Sequence, residues 1–412
     1  MSLPRVNPDT EDDAAAPARP EPSGPGRRWS VPEPRALPLP AIGALIFTGI
    51  RALSVAIGGF LLHHGRFAER HWSVVRWLRS SDGGHYHAIA VHGYAYPAGQ
   101  LAHASGFSFF PGYPAVIDTI AWLPGVTVVA AGLIVTAIAG AAAAWGLTTL
   151  GLKLTADPRI SLLMVAAWAV APSATVLSMM FAEAMFCALA IWTLVALVSR
   201  RWLAAGGLTL VAGTVRSTVV ALMAAVAVAA LTAVFRAVRA GEPFTRWWRP
   251  LAAMMLAPLG LLGYLGYVAL ATRRLDGWFW IERQTFHMVF DGGTSTFGVV
   301  RWTLLGAPGV DQVLVVLAVI AGVVLMLWSL TERIPVYLHV YTVIVVVVAV
   351  ATSANWLSSK PRFMLPAVLL ALPVARLLAP VRTWVLVPLF VALTAATTWF
   401  GLYLTVIARW TP

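Results

Sequence analysis

Apolar runs of roughly 20 residues recur along the chain from Ala41 onward, separated by short polar steps. Each run is long enough to cross a bilayer as an α-helix. The pattern predicts spans over residues 39–62, 126–147, 160–179 and 184–198, then two tightly joined spans between 203 and 235. Further spans are expected over residues 251–270, 312–330, 336–352, 363–377 and 384–408. The fold class expected is an all-α polytopic membrane protein with about eleven transmembrane helices. Two polar stretches are long, residues 63–112 and 272–311, and an alternating path puts both on the outer face. In the first, Trp72 and Trp77 interleave with arginines, which predicts a helix lying along the bilayer surface.

Residues 1–37 contain no apolar face and are rich in Pro, Ala, Asp, Glu and Arg, as in NPDTEDDAAAPARPEPSGPGRRW. They read as a disordered tail without the basic start and apolar core of a signal peptide. Residues 38–412 then form the membrane domain. Arg27, Arg28 and Arg35 precede the first span and predict a cytoplasmic N-terminus. The SRRW step, the FTRWWR stretch and the ARLLAPVR turn fall on that same side.

Composition sharpens this picture. The chain of 412 residues is 59% hydrophobic and only 11% charged, with a net charge of +12. A soluble domain carries about 25% charge. The arginines flank apolar segments, as positive-inside topology and anionic headgroups require, and this argues against nucleic acid as a partner. Cys187 is the single cysteine, inside an apolar segment, so no intrachain disulfide or thiolate cluster forms.

The chemistry concentrates in SSDGGHYHAIAVHGYAY, residues 80–96, within the first outer stretch. A short helix starting at Asp82 would bring His85 and Tyr86 onto one side, three and four positions later. Asp82 could cap that helix, accept a proton from an attacking hydroxyl, or hold a divalent cation. The H-x-H pair of His85 and His87 is a weak metal signal. Tyr94 and Tyr96 suit an interfacial belt. GFSFFPGYP, residues 106–114, would set Phe109, Phe110 and Tyr113 at membrane depth beside Asp82.

Buried charge gives the remaining candidates. Glu183 in SMMFAEAMF and Arg216 in AGTVRSTVV are expensive in an apolar segment unless paired or solvated. They either serve each other or Arg216 meets an anionic headgroup, for which a rigid donor fork is suited. Arg51 in the first span also needs a partner. Lys360 and Arg362 in SSKPRF break the positive-inside trend, as phosphate ligands or as interfacial anchors. Glu282 and His287, in FWIERQTFHMVF, are acceptor-binding candidates in the second outer stretch.

The order of YHAIAVHGY, FFPGYP, the Ala171–Pro172 step, AEAMF, GTVRS and KPRF resembles the GPI mannosyltransferase 2 family, also called the PIG-V family. The resemblance extends from about Arg51 to Leu377. It implies a GT-C glycosyltransferase fold that uses a polyprenyl-phosphate sugar, with the essential acid of the first outer loop at Asp82. The family's acid in the Glu183 hairpin and its arginine near Arg216 are retained. Read together with the residues above, the donor phosphate is expected at Arg216, Lys360 and Arg362, and the acceptor or sugar among His85, Tyr86, Tyr113, Glu183, Glu282 and His287. Ser81 stands where the family carries tryptophan, and Trp77 lies further back.

The Ala, Val, Arg and Pro bias looks like that of an actinobacterial protein. The expectation is therefore a plasma-membrane mannosyltransferase acting on a cell-envelope glycan, glycolipid or protein, with its active site extracytoplasmic. No cofactor is expected, with a divalent cation left as the open alternative. The rival is a lipid or glycan transporter, which would need charges along a central path.

Overall fold

The computed structural model describes residues 37–94 and 106–410, leaving out the side chains at 354–356. The tail expected over residues 1–37, but for Leu37, and the belt residue Tyr96 lie outside the described residues. The described chain is all-helical apart from one isolated bridge, Phe290 to Thr352.

Helix α1 (Leu39–Leu62) leads into three short helices, α2 (Gly65–Ala68), α3 (Val74–Leu78) and α4 (Asp82–His92). α5 (Gly112–Ala121) and α6 (Val128–Thr155) follow, then α7 (Pro158–Ala169), α8 (Glu183–Val198) and α9 (Trp202–Gly213). Next come α10 (Val219–Arg239), α11 (Phe244–Leu256), α12 (Leu259–Thr272), α13 (Gly277–Thr285) and α14 (Thr294–Leu305). The chain ends with α15 (Val310–Ser329), α16 (Val336–Ala351), α17 (Lys360–Phe363), α18 (Ala371–Leu378) and α19 (Thr383–Leu402).

Among the described residues six helices are long and apolar enough to cross a membrane: α1, α6, α10, α11 continued into α12, α15, and α19 with its extension to Ile407. The segments around α17 and α18 pass the same test only when taken together, and they are bent by 82°, as in a broken span or a re-entrant loop. α7, α8, α9 and α16 are apolar but shorter. Large side chains along the long helices, including Leu45, Ile138, Phe235, Leu262 and Leu317, are exposed. Exposed apolar surface on this scale belongs against lipid. The chain is a multi-pass α-helical membrane protein.

Packing follows residue size. α6 buries Ala131, Gly132, Gly140, Ala143, Ala144 and Gly151, and it packs against α1, α7 and α8. Small residues let helix backbones approach where lipid removes the usual hydrophobic drive. Thr127 caps α6 by accepting from the Ala130 N–H at 3.2 Å. Asp157 caps α7 through the Arg159 and Ile160 N–H groups, at 2.7 and 3.1 Å. Pro158 suits the first turn of that helix, where its missing N–H is not needed.

The aromatics of the first polar stretch do not form one surface helix. Trp77 is fully buried and Trp72 half-buried. They pack inward because α2 and α3 are too short to present an amphipathic face. Cys187 is buried, as its apolar neighbours require. Arg51 donates to the Ala174 carbonyl at 2.7 Å, so its partner is main chain rather than an acid.

Two breaks shape the interior. Between α9 and α10, residues 214–218 leave the helix. The Thr214 carbonyl accepts from the Gly112 N–H at 2.7 Å. Ahead of α8, the Met180 N–H donates to the Leu78 carbonyl at 2.8 Å. Irregular backbone at membrane depth needs such substitutes for lost helical bonds.

Gly112 is part of the first break: a methyl there would stand 2.6 Å from Thr214 Oγ1 and 2.8 Å from its carbonyl. Gly112→Ala should therefore cost about 1–3 kcal/mol through overpacking. Gly84→Ala, which meets nothing within 4 Å, should be neutral or stabilising because alanine favours helix. Thermal unfolding in detergent checks both.

Candidate functional site

The two breaks and the bent pair bring four charges together. Asp82 opens α4, Glu183 opens α8, Arg216 sits in the break before α10, and Arg362 lies on α17. Arg362 Nη1 donates to Asp82 Oδ2 at 2.8 Å. Its Nε lies 3.3 Å from Glu183 Oε1, and Arg216 Nη1 pairs with that same oxygen. The order Asp82, Arg362, Glu183, Arg216 thus alternates in sign and sums to zero. Glu183 is the buried centre, with 1% of its side chain exposed. Asp82, at 19%, is the most open member.

Neutrality explains how such charges persist here. An isolated carboxylate or guanidinium would carry a desolvation cost of several kcal/mol. Glu183 also stands in the first turn of α8, where the helix dipole favours an acid. Phe363 lies beside both arginines, its ring 5.8 Å from the Arg216 guanidinium and 5.1 Å from that of Arg362.

Asp82, Arg216 and Arg362 line a cavity of about 740 Å³. His85, Tyr86 and Glu282 line it too, while Phe109, Phe110, Val215, Phe286 and Val345 contribute apolar wall. His85 stacks on Phe109 with ring centroids 4.5 Å apart. Tyr86 meets Phe109 edge-on at 5.2 Å. GFSFFPGYP therefore places Phe109 and Tyr113 against the Asp82 helix, and Phe110 in the wall of the same cavity. Burial pulls the His85 imidazole below its ordinary pKa, with Asp82 opposing the shift.

Asp82 does not cap its helix. The residue before α4 is Ser81, whose side chain makes no cap bond and whose backbone has φ 56° and ψ −126°. That conformation is strained for any residue but glycine, at about 1–3 kcal/mol. The carboxylate turns instead to Arg362, 280 positions away.

Four expected contacts are not at this cavity. Lys360 is buried, and its ammonium donates to the carbonyls of Ala349 and Thr352 at 3.0 and 2.7 Å. It closes the C-terminal end of α16, whose last carbonyls lack helical partners, so it is not poised as a phosphate ligand. Tyr113 is fully buried, with its hydroxyl 2.8 Å from Thr136 Oγ1 and donating to the Gly132 carbonyl at 3.0 Å. Its ring meets that of Tyr86 edge-on at 4.9 Å, behind the residues that line the cavity. Glu183 lies behind the wall, holding the arginines. His287 does not line the cavity; its carbonyl accepts from the Ser353 hydroxyl at 2.8 Å. Phe286 and Phe363 also line the cavity, and nothing in the local sequence marks them, since no local pattern identifies a side chain that completes a wall from a distant segment.

Glu282 on α13 is a second acid in the cavity. Burial pushes its carboxyl up to about 7, opposed by Ser108 and supported by the charge of Asp82. A carboxyl raised on folding binds more protons folded than unfolded between its ordinary 4.5 and about 7. Its contribution to stability is therefore fully present below the lower value and is lost as pH rises through the upper one. Glu282→Gln should remove that loss, so unfolding followed from acid to neutral pH should show a flatter profile than the unaltered protein.

No family model and no curated protein matches this chain. The four-charge chain beside a largely apolar cavity is thus the strongest guide to its class, a membrane protein with a buried polar site open to one apolar chamber.

Proposed function

We propose that this protein is a membrane hexosyltransferase of the GT-C type. It moves a sugar, mannose by the family resemblance, from a polyprenyl-phosphate donor to a cell-envelope acceptor at the outer face of the plasma membrane. The observation that carries this reading is the Asp82–Arg362 pair at the wall of the apolar cavity, with Arg216 beside it. An acid, two cations and a lipid-compatible chamber are what this transfer requires.

Asp82 acts as general base. One carboxylate oxygen is held by Arg362, which fixes the orientation of the other. The acceptor hydroxyl attacks the anomeric carbon and a new C–O bond forms. The bond from that carbon to the phosphate oxygen breaks, and its electron pair stays on the leaving polyprenyl phosphate. The hydroxyl proton passes to Asp82. Charge growing on the phosphate is met by Arg216 and Arg362, fixed donors aimed at the transition state. Each keeps further N–H groups beyond those facing acids. Attack opposite the leaving phosphate inverts the anomeric centre, so a β-linked donor yields an α product.

The eleven-span path remains part of this proposal. It counts the six long helices, takes the bent pair as one span, and adds the four shorter apolar helices as spans of their own. An alternating path sets α4, the start of α8, the break after α9 and the segment before α17 at one end.

The test is transfer by the purified protein in lipid nanodiscs, given labelled polyprenyl-phosphate mannose and a panel of glycan and glycolipid acceptors. The proposal expects label in an acceptor and free polyprenyl phosphate. Intact donor, together with movement of a lipid or glycan across proteoliposomes, would instead establish the transporter.

A further inference from the structure

A second cavity, of about 610 Å³, lies on the other side of Ser81, which lines both this cavity and the one holding Asp82. Its walls come from the segment between α1 and α4 and from the chain end after α19. Arg70, Arg76 and Arg409 line it, against the single acid Glu69. Among the described residues none of these three arginines forms an ion pair. Trp72 and Trp410 line it as well, and the Arg76 guanidinium sits 4.7 Å from the centre of the Trp72 ring.

Guanidinium groups gathered in a cleft favour an anion, and arginine matches phosphate through paired donors. Flat tryptophan faces beside them offer an apolar body with a polar edge, suited to a sugar ring. The first cavity is lined chiefly by apolar side chains and the second by charged and aromatic ones, so the two suit different molecules. Resting on the transferase reading above, we infer that the second cavity binds the acceptor, and that the acceptor is a phosphorylated saccharide. Its phosphate contacts Arg70, Arg76 and Arg409, and its attacking hydroxyl passes Ser81 to reach Asp82. The phosphate belongs either to a glycolipid headgroup or to a soluble sugar phosphate, since the same side chains recognise both.

The experiment uses the full chain in phosphatidylcholine nanodiscs. Binding of labelled mannose 6-phosphate is compared with that of methyl mannoside, and a second arm compares discs with and without phosphatidylinositol for photocrosslinking into this cleft. Preference for the phosphorylated probe in the first arm identifies a soluble source, and capture of phosphatidylinositol in the second a lipid source. Either supports the inference if Arg76→Ala and Arg409→Ala each weaken it about tenfold, as loss of a charge-assisted hydrogen bond requires. Raised ionic strength should weaken it too, because the cleft is open to water. Arg66→Ala, an exposed residue outside the cleft, should change nothing.

Equal binding of the neutral and phosphorylated sugars without lipid capture would overturn the inference, as would arginine variants that bind normally. Hexose transfer from the labelled donor is followed in the same discs. Transfer to neutral acceptors with no arginine dependence removes this inference alone. Arginine-dependent phosphate binding with the donor left intact removes the transferase reading and with it the acceptor role, leaving an anion site.

Discussion

Asp82→Asn should slow hexose transfer by about 10²–10⁴-fold, the range associated with a positioned general base, while the protein still folds and still binds donor. Asparagine keeps an oxygen able to accept from Arg362, so the 2.8 Å contact has a neutral replacement. What it loses is the capacity to take a proton. Single-turnover transfer separates this from weakened binding, because donor saturation would leave the deficit in place. A variant that turned over normally, with its fold intact by size exclusion, would show that Asp82 only organises Arg362.

Glu183→Gln should have the largest effect on stability, about 3–5 kcal/mol, the cost of breaking a buried ion pair from one side. Glu183 is 1% exposed and faces Arg216 and Arg362 together. Without its charge, two guanidinium groups share Asp82 alone. Glu183→Gln combined with Arg216→Gln should be less damaging than the two single losses added, because the second change removes the orphaned cation. Thermal unfolding of the four proteins in one detergent measures the coupling. Strict additivity would mean that the pair does not act as a unit.

The residues differ in how plainly the sequence declared them. The helix beginning at Asp82, with His85 and Tyr86 toward one chamber, follows from local spacing. That Glu183 and Arg216 needed partners followed from the cost of charge in apolar segments, and they found each other. The identity of the third and fourth members did not follow. Arg362 reaches Asp82 across 280 positions, and no periodicity encodes so distant a contact.

Lys360 misled for a related reason. A cation at a break in the positive-inside pattern reads as a ligand for phosphate, yet the open carbonyls at the end of α16 answer it equally well. Tyr113 belongs to a motif rich in aromatics, and only packing decides which rings face the chamber. Helix breaks were the least visible feature. Residues 203–235 carry no conspicuous turn, and the interruption at residues 214–218 is held by tertiary bonds such as Gly112 to Thr214.

The central claim, that Arg216 and Arg362 hold the carrier phosphate next to Asp82, is tested most directly by imaging the protein with a non-cleavable polyprenyl phosphonate analogue of the donor. Phosphonate oxygens about 3 Å from both guanidinium groups, with the anomeric carbon facing Asp82 and the polyprenyl chain in the apolar cavity, are the expected result. A headgroup bound at the far end of the bundle, or in the arginine cleft beyond Ser81, would contradict it.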